Sequence, residues 1–481
     1  MKKTLFLQAP SFDGFDGGAG SRYQAKREIR SFWYPTWLAQ PAALVPGSRL
    51  LDAPADGLTV AQTLDIAADP QADYELVIIH TSTPSFPSDA RFAELLKERK
   101  SGIMIGMVGA KVMVDPGPSL LASSAIDFVA REEFDYTCRD VAEGLPLSSI
   151  AGISWKDADG RVQHNPPRPM IENMDELPFV SPVYHRDLNV KNYFIGYLNY
   201  PYVSIYTGRG CRSRCSFCLW PQTVGGHRYR IRSAESVIEE VKWIKANMPE
   251  VKEIMFDDDT FTDFRPRAEE IARGLGKLGV TWSCNAKANV PYSTLKIMKD
   301  NGLRLLLVGY ESGDDQILMN IKKGLRTDIA RRFSEDCRKL GITVHGTFIL
   351  GLPGETQETI AKSIEFAKEI NPHTIQVSLA APYPGTRLYE QAIENEWIPP
   401  NKTINLVSES GVQLAALNYP HLSSEEMFHG VERFYRSFYF RPSKIWEIVR
   451  EMMKSWEMTK RRLREGVEFF RFLRAHGASE A

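Results

Sequence analysis

The stretch that decides the fold runs Tyr202-Val203-Ser204-Ile205-Tyr206-Thr207-Gly208-Arg209-Gly210-Cys211-Arg212-Ser213-Arg214-Cys215-Ser216-Phe217-Cys218. It opens as an apolar strand, passes two glycines, and ends in three thiols at C-x3-C-x2-C spacing. Glycines beside the first cysteine allow a tight loop that turns several side chains inward around one object. Thiolates are soft ligands, which leaves zinc, copper(I) and iron-sulfur as candidates. A structural zinc site needs a fourth ligand, and the nearest histidine, His227, lies nine residues on, beyond Gly225-Gly226. A [4Fe-4S] cluster is usually held by four cysteines, so Cys211, Cys215 and Cys218 would leave one iron open to a small molecule. Structural or zinc-binding thiols are the alternative.

Working outward, strands and helices alternate from about 200 to 400. Strands are predicted at Tyr202 to Tyr206, Glu253 to Phe256, Thr281 to Asn285, Arg304 to Tyr310, Thr343 to Leu350 and Thr374 to Leu379, with helical patterns between them. Six β-α units predict a partial (β/α) barrel whose active site lies at the strand carboxyl ends, with the cysteine loop on the first of them.

Upstream, residues 1 to 145 alternate in the same way, with strands expected at Thr4 to Gln8, Arg49 to Ala53, Tyr74 to His80, Ile103 to Val108 and Asp127 to Arg131. This pattern predicts a doubly wound, Rossmann-like parallel sheet with ligands at its carboxyl edge. The candidate loops there are Phe12 to Gly20, Pro54 to Gly57, Thr81 to Ser85 and Gly109 to Gly117. No G-x-G-x-x-G follows a strand, which weakens a dinucleotide reading. Residues 146 to 199 read as a hairpin with a D-x-D-G turn at Asp157 to Gly160, then a proline-rich, semi-rigid linker between two domains. Residues 401 to 481 are helical and rich in aromatic and basic side chains. They read as a helical cap on the barrel or as a platform for a lipid surface, since a basic amphipathic helix with aromatics can lie in a membrane interface.

Composition narrows the classes. Fifty-nine Lys and Arg against sixty Asp and Glu give a net charge of -1, so no overall field draws the chain to nucleic acid or anionic lipid, and only a local patch could. Six cysteines make no disulfide framework, and a low-potential cluster needs a reducing compartment, so a cytoplasmic protein is expected. Met1 to Leu7 imitates a signal peptide, but its apolar run stops at Gln8 and Pro10; no leader or membrane span is expected.

The three thiols, with Phe217 before the last, resemble the signature of the radical S-adenosylmethionine (SAM) superfamily. The resemblance implies that the open iron chelates the amino and carboxylate groups of SAM, and that an electron from the cluster releases a 5'-deoxyadenosyl radical. It implies a low-potential electron donor such as flavodoxin or ferredoxin. It carries over to Glu311, in Val308-Gly309-Tyr310-Glu311-Ser312-Gly313, as a ribose contact, and to Ile349 and Gly351, in Phe348-Ile349-Leu350-Gly351-Leu352-Pro353-Gly354-Glu355, as an adenine contact. Asp257-Asp258-Asp259 stands where relatives carry a glycine-rich segment; it reads instead as acids that orient substrate hydroxyls or arginines, or as a solvated turn. Cys138 and Cys337 read as buried and inert, and Cys284 as a candidate to face the cavity.

The amino-terminal segments resemble the cobalamin-binding domain that precedes many radical SAM enzymes, through Leu50-Leu51-Asp52 and Asp127-Phe128-Val129-Ala130-Arg131-Glu132. Asp52, Gly57 and Gly109 are the implied cofactor contacts. No D-x-H-x-x-G motif occurs, so a cobalamin lower face without a histidine ligand is expected; a degenerate domain that holds no cofactor is the alternative. Pro10 to Gln24 and Ser31 to Gln40 resemble the hopanoid-biosynthesis members of the family. That likeness implies ring contraction of the glucosamine of a hopanoid conjugate to a cyclitol ether, hence a small-molecule or lipid-linked sugar substrate and a peripheral contact with the inner membrane face. A cobalamin-dependent radical methyltransferase and a non-catalytic cobalamin or iron-sulfur sensing protein are the alternatives.

Overall fold

A computed structural model describes residues 1–12, 31–398, 406–408, 412–453, 456, 459–460 and 462–468. The glycine-rich loop expected over Phe12 to Gly20 therefore lies, beyond its first residue, outside the described residues, as does most of the Pro10 to Gln24 likeness.

The first sheet holds seven strands: β1 (Thr4–Gln8), β2 (Arg49–Asp52), β3 (Leu76–His80), β4 (Met104–Val108), β5 (Phe128–Ala130), β6 (Ile153–Lys156) and β7 (Val162–His164), in the order β2-β1-β3-β4-β5-β6-β7. The first five run parallel and are buried along nearly their whole length, because helices cover both faces. The order reverses between β1 and β3, which makes the carboxyl ends of that pair the topological switch point.

The hairpin expected in the linker is instead the antiparallel edge of this sheet, Trp155 pairing with Phe128 and Ile153 with Ala130. Pairing satisfies a backbone edge that β5 would otherwise expose. The proline-rich segment is no free spacer either. It carries the helix Ser181–Asp187 and buries Tyr184, Tyr193 and Leu198. Tyr34 stacks on Tyr193 at 4.1 Å and donates its hydroxyl to the Tyr202 carbonyl at 2.8 Å, so the segment is cemented between the sheets by aromatic packing.

The second sheet holds β8 (Tyr202–Ile205), β11 (Glu253–Phe256), β12 (Trp282–Ala286), β13 (Leu303–Glu311), β14 (Thr343–Leu350) and β15 (Thr374–Leu379). Between β8 and β11 the short strands β9 (Gly208–Arg209) and β10 (Arg230–Ile231) form a ribbon around the cysteine loop. The six long strands are all parallel and follow one another in chain order from β8 to β15, the open arrangement of a partial barrel. Its helices stop where expected: Arg265–Leu278 ends at Gly279 and Thr327–Leu340 at Gly341, both left-handed. The carboxyl-terminal helix Ser424–Tyr439 packs on β15, its Tyr435 hydroxyl accepting from the Val377 amide at 2.8 Å beside a core that also takes in Phe348 and Phe434. That core runs without a break from Phe6 of the first sheet to Phe438.

Candidate active site at the facing strand ends

The cysteine loop leaves the carboxyl end of β8. Gly210 is left-handed, and a Cβ there would stand 2.3 Å from the Arg228 carbonyl, so only glycine lets the loop close against the returning chain. Cys211 and Cys215 are buried and Cys218 half-buried, all as free thiols. Burial pushes the Cys215 thiol up, with Lys323 pulling the other way. Gln222 is the residue that fixes the loop's shape: its amide donates to the Cys215, Ser216 and Cys218 carbonyls at 3.2, 3.2 and 2.7 Å. The His227 Nδ1 meets the Ser213 carbonyl at 3.0 Å and the Cys211 carbonyl at 3.3 Å, so this histidine clamps the loop. Among the described residues no three His, Cys, Asp or Glu groups converge on a point that would hold a single metal ion. Three soft donors spread along one loop, with no fourth beside them, suit an object larger than one ion. Phe217 packs its partly buried ring against the core.

Glu311 ends β13 with a left-handed backbone, φ +66°, where the pairing with β14 shifts register. Such a conformation in a non-glycine residue is strained and marks positions held by their surroundings. Its carboxylate binds the Lys323 ammonium at 2.6 Å and folds over Gly309, where a Cβ would collide with it at 2.3 Å. Burial works against the Lys323 charge, but Glu311 and Cys215 outweigh it and raise the lysine's pKa. Sequence reading named Glu311 and missed Lys323. The signal was available as a lone lysine pair, Lys322-Lys323, soon after the Glu311 turn.

Ile349 and Gly351 end β14. Ile349 is half-buried against the core, and Gly351, at φ +85°, sits where a Cβ would meet the Met427 sulfur at 2.5 Å. Glu355 accepts the Gly351 amide, and the Tyr419 hydroxyl donates to the Gly351 carbonyl at 2.8 Å, so the turn is held from both sides. Burial pushes the Glu355 carboxyl up to about 8, and among the described residues its Oε1 has no hydrogen-bond partner.

Two of the acidic trio, Asp257 and Asp258, are buried ties rather than parts of a solvated turn. Asp258 is fully buried and accepts from the Thr207 amide at 2.5 Å, the Thr207 hydroxyl at 2.6 Å and the Tyr229 hydroxyl at 2.6 Å. Burial raises its pKa. Asp257 accepts from Asn285 at 2.9 Å. These acids tie β8, β10 and β11 together under the cysteine loop. Cys284 is fully buried beside them and does not face a cavity, and burial raises its thiol far above the usual range.

On the first sheet the expected contacts scatter. Asp52 accepts from the Tyr193 hydroxyl at 2.9 Å, and so anchors the inter-sheet segment. Gly57 is the left-handed end of a turn with open space around it. The stretch Gly109 to Gly117 is not a loop: Ala110–Val114 and Pro116–Leu121 are short helices. Gly109 itself is forced by packing, since a Cβ would stand 2.2 Å from the Thr81 carbonyl and 3.3 Å from the His80 Nε2. His80 ends β3 outside any D-x-H-x-x-G motif, since Ile78 stands two residues before it. It is buried, burial pushes it down to about 4, and among the described residues its Nε2 has no partner; nor has the Gln8 Oε1 at the end of neighbouring β1. Two buried polar atoms without a partner among the described residues therefore lie side by side at the switch point.

The carboxyl edges of the two sheets meet. Arg209 forks onto Asp135 at 2.6 and 3.0 Å, and Arg230 onto Glu133 at 2.5 and 2.8 Å, the acids following β5 and the arginines lying on the cysteine ribbon. The Arg209 guanidinium lies 4.9 Å from the Trp37 ring, which stacks on Trp220. At a second contact Val114, after β4, fills the space beside Gly385, after β15.

Comparison with known proteins agrees with this geometry. The Radical SAM superfamily profile matches residues 205–367. An uncharacterized methyltransferase, PH0819 of Pyrococcus horikoshii, is 31% identical over 427 residues, spanning 87% of this chain and 90% of that one. The cytidylyl-2-hydroxyethylphosphonate methyltransferase of Streptomyces wedmorensis is 28% identical over 342 residues, 62% of each chain. The radical SAM methyltransferase TsrM of Kitasatospora setae, solved with cobalamin and a [4Fe-4S] cluster, shares the fold at a TM-score of 0.69 and 15% identity, covering 99% of this chain and 100% of that one. With the family's three thiols on the first loop of a six-stranded parallel barrel, and a relative this similar along nearly its whole length, the chain belongs to the radical SAM superfamily and is an enzyme of that superfamily.

Proposed function

We propose that the protein is a cobalamin-dependent radical SAM methyltransferase that methylates an unactivated carbon of a small-molecule or lipid-linked substrate. The observation that carries this reading is the meeting of the two carboxyl edges through Arg209, Arg230, Glu133 and Asp135, which would set a carrier on the first sheet opposite a donor on the barrel. The names of the Pyrococcus and Streptomyces relatives support methyl transfer over skeletal rearrangement.

A [4Fe-4S] cluster supplies electrons at low potential, SAM the methyl group and the adenosyl fragment, and cobalamin a methyl carrier. Cys211, Cys215 and Cys218 would hold the cluster, on a loop kept open by Gln222 and His227. Lys323 offers a cation for a carboxylate, and Glu311 two acceptor oxygens for ribose hydroxyls, once their mutual bond is exchanged for the ligand. Gly351 presents backbone at the adenine position, held there by Glu355 and Tyr419. Gln8 and His80 are the polar groups at the switch point with capacity to bond a corrinoid, and His80 stays neutral at physiological pH.

The rival reading, ring contraction of a hopanoid-linked glucosamine, rests on the likeness of residues 10 to 40 to the hopanoid-biosynthesis protein HpnJ. Reduced, reconstituted enzyme with SAM deuterated in its methyl group distinguishes the two. Label in the product, with S-adenosylhomocysteine formed, is expected. Conversion of the glucosamine-bearing hopanoid without label in the product would reject methyl transfer.

A further inference from the structure

At the opposite, amino-terminal end of the barrel lies a cavity of about 310 Å³, lined by Gly196 and Tyr197, by the first residues of β15 and by the carboxyl-terminal helices. Its place follows from register: His345 and Thr374 pair at the start of β15, whereas the cysteine loop follows the end of β8. The lining is apolar along one side, through Ile375, Tyr439, Ile448 and Val449, and polar at one end, where Arg462 binds Glu465 at 2.7 Å. That volume and that mixture suit a bound organic ligand.

The wall facing outward is the helix Pro442–Met452. At about 100° per residue, Ile448, Ile445, Val449, Met453 and Trp446 fall along one continuous apolar arc. Ile445, Ile448 and Val449 look into the cavity. Trp446 and Met453 continue the arc into solvent, 56% and 70% exposed, and Trp456 follows at 68%. Clustered large apolar side chains in solvent mark a contact surface. Between 432 and 468 the described basic residues outnumber the acidic ones, in a chain whose net charge is -1. Lys460 lies 5.4 Å over the Trp456 ring, placing a cation at the edge of the apolar face. Among the described residues no helix is long and apolar enough to cross a membrane. Exposed tryptophans, aliphatic side chains and flanking cations are the chemistry of a helix lying in a lipid interface.

We propose that these helices form a lipid-binding module: the Trp446–Met453–Trp456 ridge lies on an anionic bilayer, and the cavity behind it receives one hydrocarbon chain. The proposal is independent of the methyl-transfer reading, because none of its residues belongs to the strand-end site.

The test uses the full chain with phosphatidylglycerol-containing vesicles, with phosphatidylcholine vesicles, and with cis-parinaric acid as a soluble chain probe. Sedimentation with anionic vesicles is expected to exceed that with zwitterionic ones by about tenfold at low salt. Trp446→Glu should abolish vesicle binding while leaving parinaric acid uptake intact. Ile448→Trp, which fills the cavity, should do the reverse, and Val449→Phe at the half-exposed mouth provides a second filler should the first not fold. Absence of vesicle binding by the unaltered protein, or uptake that survives a folded filler variant, overturns the proposal. A dimer dissolved by Trp446→Glu, without vesicle binding, also overturns it and assigns the face to a second copy of the chain.

Discussion

The two strand-end edges that face one another are built on different plans. Around the cysteine loop a dense set of internal bonds fixes the frame: Gln222 and His227 hold carbonyls, Lys323 holds Glu311, and Asp258 holds Thr207 and Tyr229, while the Ser216 hydroxyl and the Trp220 indole N–H stay buried without a partner among the described residues. At the end of β1 and β3, Gln8 and His80 are buried with atoms left over. A site that must assemble reactive thiols in one geometry needs a rigid frame from its own chain. A site whose ligand brings many hydrogen-bonding groups can leave partners unmet until the ligand arrives. The difference also explains why the first edge has a sequence signature and the second has none.

The largest expected effect tests the rigid edge. Alanine at Cys211, Cys215 or Cys218 should abolish reductive cleavage of SAM, read as 5'-deoxyadenosine formed under anaerobic reduction; a single variant with normal formation would remove the thiols from the chemistry.

The joint between the edges comes next. Arg209→Met should cost roughly 3 to 5 kcal/mol of stability by stranding Asp135 in the interior, read from the urea midpoint. Burial opposes the Glu133 charge, but Arg209 and Arg230 win and hold its carboxyl below the usual value. The stability from this carboxylate is therefore present above the unfolded pKa and lost as pH falls through the depressed one. Arg209→Met should weaken that acid-side loss.

Glu355 sets the opposite pH dependence under the Gly351 turn of the barrel. Its pKa rises from 4.5 to about 8, so the folded state holds the extra proton across that window. Stability should fall as pH rises from about 4.5 to 8 and level off above, by a few kcal/mol in all. Glu355→Gln should flatten this slope in unfolding measured as a function of pH, and an unchanged slope would place the titration elsewhere.

Glu311→Gln is expected to weaken SAM binding by about 1.5 to 3 kcal/mol while leaving cluster assembly intact, as measured by calorimetry on the reconstituted protein. The smallest effect sharpens the open edge. Gln8→Leu and His80→Phe should each reduce corrinoid retention by about 1 to 3 kcal/mol without lowering stability, since no internal hydrogen bond is lost. The cobalt(II) resonance of the reconstituted protein reports on the lower face: nitrogen splitting that disappears in His80→Phe would replace the expected histidine-free face with a ligated one.

By itself the sequence determined the elements and the first site. Continuous apolar runs at Leu76 to Ile79 and Leu305 to Val308, short and rich in branched side chains, fit strands buried on both faces, and the thiols sit within eight residues, so their meeting needs no long-range fold. Glu311 and Gly351 were legible for the same reason: a strand end and a turn are local events. Only the tertiary structure decided where the hairpin of β6 and β7 docks, since a hairpin's outer edge carries no address in its own sequence. It alone turned Asp257 and Asp258 from surface acids into ties, because their partners Asn285, Thr207 and Tyr229 come from other segments. It brought Lys323 to Glu311, and set His80 beside Gln8 across 72 residues of chain. Whether a buried polar atom is satisfied depends on every segment that packs around it, and that is settled only when the whole chain has folded.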